Sequence, residues 1–144
     1  MSVKPIPDGF RSVQPFLIVS DLEAEMRFLQ QALDGKPGAV IPDEAGKPRY
    51  GEIAVGDSVI MLSRADQSGQ TMPAMLYLYV EDADAHHRRA IEAGATELFE
   101  IGNQPYGDRH GVVQTANGVC YCIATHVEDV SPEETARRLA ERDA

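Results

Sequence analysis

Cysteine occurs twice, aromatic residues make up 6% of the chain, and lysine and arginine together number 13 against 23 acidic residues. Two cysteines cannot build the disulfide framework of a small secreted domain. The N-terminal segment MSVKPIPDGF lacks the apolar core of a signal peptide, so a reducing cytoplasm is the expected location. No apolar run approaches the ~18 residues a membrane span needs, and no membrane association is expected. The formal charge of −10 disfavours nucleic acid and anionic lipid as partners, because a polyanion repels both. What is present suits a globular chain: 144 residues, 43% hydrophobic and 25% charged. That length fits one domain on the usual prior of ~100–200 residues and suffices to bury a core.

An internal repeat organises the chain. VQPFLIVSDLEAEMRFLQQAL begins at Val13 and AMLYLYVEDADAHHRRAIEAG at Ala74. Each reads as a short strand, an acidic N-cap and a helix of about three turns. The capping residues are Asp21 and Asp82, an offset of 82 − 21 = 61. Leu22, Met26, Leu29 and Leu33 form an apolar stripe at helical spacing. Ala83, Ala90, Ile91 and Ala93 form a weaker one, closed by Gly94. Strand patterns follow at 39–42, 49–55 and 58–63, and again at 96–101, 112–115 and 119–124. Gly56-Asp57 and Asn117-Gly118 are tight-turn signals. The chain therefore reads as a single domain: a first module over about 10–64, a polar linker at 65–73 and a second module over about 74–126. Ser131-Pro132-Glu133-Glu134 is a capping box that starts a C-terminal helix over about 131–142.

Several stretches carry a family likeness: FRSVQPFL from Phe10, Gly51-Glu52-Ile53 with Gly56-Asp57-Ser58, LYLYVED from Leu76, Tyr106-Gly107-Asp108-Arg109, and IATHVED from Ile123. With the duplicated strand–helix–three-strand unit, they resemble the vicinal oxygen chelate superfamily of glyoxalases, bleomycin-resistance proteins and extradiol dioxygenases, most closely its PhnB-like branch. The resemblance implies an α+β fold of two tandem βαβββ modules, a curved-sheet half-barrel with helices outside. It also implies a homodimer and a cavity for a small molecule. One scaffold of this kind hosts many chemistries, so function must be argued from the site.

Metal-using relatives carry a ligand early in the first strand and one on the last strand of each half. Those positions map here to Gln14, Ile60, Met75 and Cys122. An amide, a hydrocarbon, a thioether and a thiol are poor ligands for hard divalent ions, so neither a metal nor another cofactor is expected. Strand alternation assigns the remaining inner face. It turns Gln14, Phe16 and Ile18, then Tyr50, Glu52 and Ala54, then Ser58, Ile60 and Leu62, and finally Met75, Tyr77 and Tyr79 inward. Apolar walls with sparse polar points describe a small-molecule pocket; the alternative is a filled core.

The chemistry-bearing residues each admit two readings. Glu52 is a general base or the partner of Arg49 or Arg109. His110 is an acid–base group at the cavity mouth or a hydrogen-bonded loop histidine. Arg109 clamps an anionic ligand group or pairs with Asp108 or Glu100. Cys120 and Cys122 share a face as packing thiols, a soft-metal pair or a nucleophile. His86 and His87 read as solvated helix residues, and His126 as a structural residue leaving the barrel. Three functions follow in order. The first is a metal-free protein that encloses an aromatic or planar ligand, with Tyr106 joining the other tyrosines. The second is a lyase, isomerase or dioxygenase with a non-standard metal site. The third is metal-free acid–base catalysis by Glu52.

Overall fold

The computed structural model describes residues 2–144. Eleven elements alternate in two equivalent runs: β1 (Phe16–Val19), α1 (Leu22–Leu33), β2 (Lys36–Pro42), β3 (Pro48–Val55) and β4 (Ser58–Arg64), then β5 (Met75–Tyr79), α2 (Ala83–Glu92), β6 (Thr96–Asn103), β7 (Asp108–Gln114), β8 (Cys120–His126) and a final helix α3 (Pro132–Arg142). The fold is α+β, with two four-stranded mixed sheets ordered β1-β4-β3-β2 and β5-β8-β7-β6, neither of which closes on itself. By contact density the chain divides into two compact units. The first runs to Ala74 and includes Thr115–Val119; the second comprises Met75–Gln114 and Cys120–Ala144.

In the first unit the Asp21 carboxylate accepts from the Ala24 N–H at 3.0 Å and starts α1. The helix ends at Asp34, whose φ of 55° lies in the left-handed region. Its inner face buries Leu22, Met26, Leu29 and Leu33 against the sheet, together with Phe28 and Ala32. Gly51 is required where α1 crosses β3, because a Cβ there would stand 2.5 Å from the Met26 sulfur. One charged residue joins this apolar stripe. Glu25 is 1% exposed and accepts from Thr115 Oγ1 at 2.8 Å and Asn117 Nδ2 at 3.0 Å. The Thr115–Val119 turn is thus tied to α1 by buried polar contacts, in keeping with the rule that buried polar groups find partners.

In the second unit Asp82 caps α2 by accepting from Ala85 N at 3.1 Å. Ala83 and Ala90 are buried as their spacing predicts, but Ile91 is 41% exposed. The third buried position of α2 is His87, which corrects its reading as a solvated residue. Its ring lies over Gly111 of β7, where a Cβ would meet it at 2.5 Å, and its Nε2 pairs with Glu97 at 2.7 Å. An imidazole fits this stripe because β7 offers a residue without a side chain beneath it. Ser131 caps α3 by accepting from Glu134 N at 3.1 Å. Arg138 then fastens the helix to Glu128 at 2.6 Å and to the Pro105 carbonyl at 3.2 Å.

The two sheets repeat their register. Phe16 pairs with Met61 across β1–β4, and Tyr77 with Cys122 across β5–β8. Both members shift by the same 61 residues that relate the capping aspartates (77 − 16 and 122 − 61). This corrects three inner-face assignments, all on β4. Ile53 pairs with Ile60 and Val55 with Ser58, and paired residues share a face. Ile53 is fully buried on the α1 side, as Ile60 is at 2% exposure, so Ser58, Ile60 and Leu62 belong to the helix side. Val59, Met61 and Ser63 take the open side instead. The two-residue Gly56-Asp57 connection keeps paired residues in phase, so Ser58 cannot face opposite to Val55.

Candidate ligand-binding site

The open face of the second sheet carries the densest group of functional side chains. Register puts Met75, Tyr77 and Tyr79 of β5, Cys120, Cys122 and His126 of β8, and Asp108 and His110 of β7 on this side. Asp108 lies at its centre. It is 2% exposed and begins β7 immediately after Tyr106-Gly107. Gly107 makes the corner possible: its φ is +102°, and a Cβ would stand 2.0 Å from the Glu128 carbonyl oxygen. Its own carbonyl accepts from Val127 N at 2.9 Å and Glu128 N at 3.0 Å, so the corner is fastened to the chain leaving β8.

Three donors converge on the Asp108 carboxylate. The Tyr77 and Tyr79 hydroxyls both donate to Oδ2, the latter at 2.9 Å, while His126 Nδ1 lies 2.8 Å from Oδ1. His126 reaches onward to Asp129 through Nε2 at 2.7 Å. Burial pushes the Asp108 carboxyl upward, but the Tyr77, His126 and Tyr79 donors outweigh it and hold the group below the usual carboxylate range. Tyr77 is raised well above an ordinary phenol, first by burial and then by its bond to Asp108. Tyr79 is raised chiefly by that same carboxylate. His126 is raised by its bonds to Asp108 and Asp129. It is therefore a member of this network and does not turn away from it.

A second pair stands beside the first. The Tyr106 hydroxyl is hydrogen-bonded to His110 Nε2, and the His110 ring packs edge-on against Tyr77 with centroids 5.7 Å apart. Tyr77 and Tyr79 are 5.4 Å apart. The rings are fixed at their hydroxyl ends yet remain partly exposed, Tyr77 at 43%, Tyr79 at 64% and Tyr106 at 38%. His110 Nδ1 is buried without a hydrogen-bond partner. Cys122 is 1% exposed, and burial together with the Asp108 charge pushes its thiol up to about 11. It is a protonated packing residue at neutral pH, not an activated nucleophile.

The other expected residues fall as follows. Gln14 spends its amide within the first unit, accepting from Arg11 N and donating to the Val59 carbonyl at 2.6 Å. Phe16 and Tyr50 rings lie 6.3 Å apart on the open face of the first sheet. Glu52 pairs with neither Arg49 nor Arg109; its Oε2 accepts from the Tyr50 hydroxyl at 2.7 Å. Burial and then this carboxylate raise Tyr50 to about 12. Arg109 alternates with Asp108 and His110, so it points to the helix side. There it forms a two-pronged pair with Asp84 of α2 at 2.8 and 2.9 Å and bonds Asn103 at 3.1 Å. This corrects its expected partners, Asp108 and Glu100, and leaves its fork of donors occupied. An open cleft of about 650 Å3 at the end of β4 is lined by Arg49, Ser63, Arg64 and Asp66, with no tyrosine among its walls.

The family metal positions do not suit a hard divalent ion. Ile60 faces α1 and has no donor atom, and the register makes Met61 the true counterpart of Cys122. The resulting donors are a committed amide, two thioethers and a thiol held protonated. Among the described residues, no group of three or more histidine, cysteine or acidic side chains is arranged to hold a metal.

Asp108 is the residue that sequence reasoning missed. The sequence pattern offers it no role beyond pairing with Arg109, because that pattern starts the strand at Val112. The available signal was the alternation Asp108, His110, Val112, which places an acid in phase with the sheet's open face.

Comparison with known proteins agrees with this architecture. Residues 11–123 match the Glyoxalase/Bleomycin resistance protein/Dioxygenase superfamily. An uncharacterized protein of Mycobacterium bovis is 28% identical over 134 residues, covering 85% of this chain and 88% of its own. An uncharacterized protein of Mycobacterium tuberculosis strain H37Rv is likewise 28% identical, covering 85% and 79%. TioX from Micromonospora sp. ML1 superposes with a TM-score of 0.70 at 20% identity, over 81% of this chain and 99% of that one. A glyoxalase/bleomycin resistance protein/dioxygenase family enzyme from Burkholderia phytofirmans PsJN does so with 0.65 at 18% identity, over 79% and 97%. These structural likenesses concern the fold alone. With the family pattern spanning well over half its length and the duplicated βαβββ register in place, this chain belongs to the Glyoxalase/Bleomycin resistance protein/Dioxygenase superfamily.

Proposed function

We propose that this protein binds a small aromatic or planar molecule, without a metal, on the tyrosine-bearing face of its second sheet. The observation that carries the reading is that Tyr77, Tyr79 and Tyr106 are fixed at their hydroxyls by Asp108 and His110 while all three side chains remain exposed. Rigid aromatic surface is the cheapest kind to bind with, because little side-chain entropy is lost when a ligand stacks on it. A thermal-shift and tyrosine-fluorescence screen of aromatic natural products, acyl-CoA and glutathione conjugates, each with and without EDTA, tests the reading. Tyr77→Ala is expected to weaken a hit by about 1–3 kcal/mol. Loss of binding on chelation would refute the metal-free reading.

A second reading is acid–base chemistry on the bound molecule. The Tyr106–His110 hydrogen bond favours it, since it sets a hydroxyl and an imidazole side by side on the proposed ligand face, where a proton can pass between them. Glu52, hydrogen-bonded to Tyr50, is the other candidate base. Turnover abolished in His110→Asn or Glu52→Gln with binding retained would support it, and equal loss of both would reject it. A homodimer and membership of the PhnB-like branch belong to the same proposal. The exposed apolar side chains on edge strands β2 and β6, Ile41 at 52% and Phe99 at 67%, support self-association. Sedimentation equilibrium checks it.

A further inference from the structure

The charge of the ligand can be argued from what surrounds the rings. The four strands β5 to β8 carry one arginine and no lysine, and that arginine, Arg109, is on the helix side in a two-pronged pair with Asp84. The arginines of α3 are engaged in turn: Arg137 with Glu134 and Glu141, Arg138 with Glu128 and Glu134, and Arg142 with Asp143. Among the described residues of these four strands, the open face therefore holds Asp108, with histidines 110 and 126 as its basic groups. If His126 is protonated, Asp129 on its far side restores a net negative charge to the trio. The Asp108 carboxylate is 2% exposed, so its field is weakly screened by water.

The rings amplify this field. Tyr77 and Tyr79 donate their hydroxyl protons to Asp108, which shifts electron density back into the phenol rings. An electron-rich ring attracts a cation over its face, and here neighbouring rings follow one another at centroid distances of 5.4 Å (Tyr77–Tyr79), 5.7 Å (Tyr77–His110) and 5.9 Å (Tyr106–His110). An anionic ligand would meet the carboxylate with no lysine or arginine from the open side of these four strands to offset it. A neutral one would leave the attraction unused.

We propose that Tyr77, Tyr79, Tyr106 and His110, standing over Asp108, form a cage for an organic cation, an alkylated ammonium group carried on an apolar or aromatic body. This inference rests on the reading of that face as the ligand site and adds the ligand's charge. The full chain is titrated with benzyltrimethylammonium, benzyl alcohol and benzenesulfonate, followed by tyrosine fluorescence, which no tryptophan obscures. The cation is expected to bind about tenfold tighter than the alcohol and tighter still than the sulfonate. Tyr79 is 64% exposed, so its replacement leaves no buried hole. Tyr79→Leu is expected to abolish most of the preference for the cation, while Tyr79→Phe keeps most of it because the ring remains. Asp108→Asn is expected to bring the cation and alcohol together, and circular dichroism establishes that the variant is folded. Equal binding of all three probes would overturn the charge assignment and leave the aromatic site standing. Absence of binding by all three, or a cation preference unmoved by Tyr79→Leu, would overturn the cage itself.

Discussion

Replacing Asp108 by asparagine removes one negative charge from a site where three donors meet, and its cost can be worked from the geometry. The Tyr77 and Tyr79 hydroxyls and His126 Nδ1 all converge on that carboxylate. A hydrogen bond to a charged group contributes about 1.5–3 kcal/mol. The two tyrosine bonds give a gross figure of roughly 3–6 kcal/mol, which the cost of stripping water from a buried carboxylate partly offsets. The amide oxygen of asparagine can still accept from one or two hydroxyls, but its NH2 group faces donors and repels them. His126 adds nothing to this figure because that side chain is 49% exposed and screened by water. The net loss is expected at about 2–4 kcal/mol, or a fall in Tm of roughly 6–15 °C for a chain of this size. Thermal and urea denaturation read the stability, and NMR titration reads His126, whose pKa should fall towards its ordinary value once Asp108 no longer holds the proton. A Tm within about 2 °C of wild type together with an unmoved His126 titration would refute the network.

Other consequences are testable in the same preparation. Glu25→Ala should cost about 2–4 kcal/mol in urea denaturation, since Thr115 and Asn117 lose a buried acceptor, whereas Glu25→Gln should keep most of the stability because its amide still accepts from Thr115. Iodoacetamide followed by mass spectrometry should label Cys120 in the native protein and Cys122 only after denaturation, because Cys122 is buried with its thiol pushed up to about 11. The His126 and Asp108 shifts set a pH window with two signs. His126 is raised, so its contribution is complete below its unfolded value near 6.5 and is lost as pH rises through the higher folded value. Asp108 is lowered, so its contribution is present above about 3.8 and is lost as pH falls through the lower folded value. The urea midpoint should therefore be highest between roughly pH 4 and 6.5, and His126→Asn should remove the alkaline decline.

Local pattern alone determined much of this protein. The 61-residue offset between Asp21 and Asp82, the stripe of Leu22, Met26, Leu29 and Leu33, and the capping box at Ser131 specify the repeated βαβββ plan, because N-caps and apolar periodicity act within a few residues. Alternation also placed Met75, Tyr77 and Tyr79 on one face of β5. Tertiary structure decided the rest. Which face of β4 is open depended on pairing with β3, so Ile60 went to the helix and Met61 to the open side. His87 is buried because Gly111, a residue 24 positions later (111 − 87), leaves room beneath it. Asp108 became the centre of the site because Tyr77, Tyr79 and His126 reach it from two other strands. No short-range pattern encodes such a meeting, since the energy of a buried carboxylate is set by donors that only the folded sheet brings within hydrogen-bond distance.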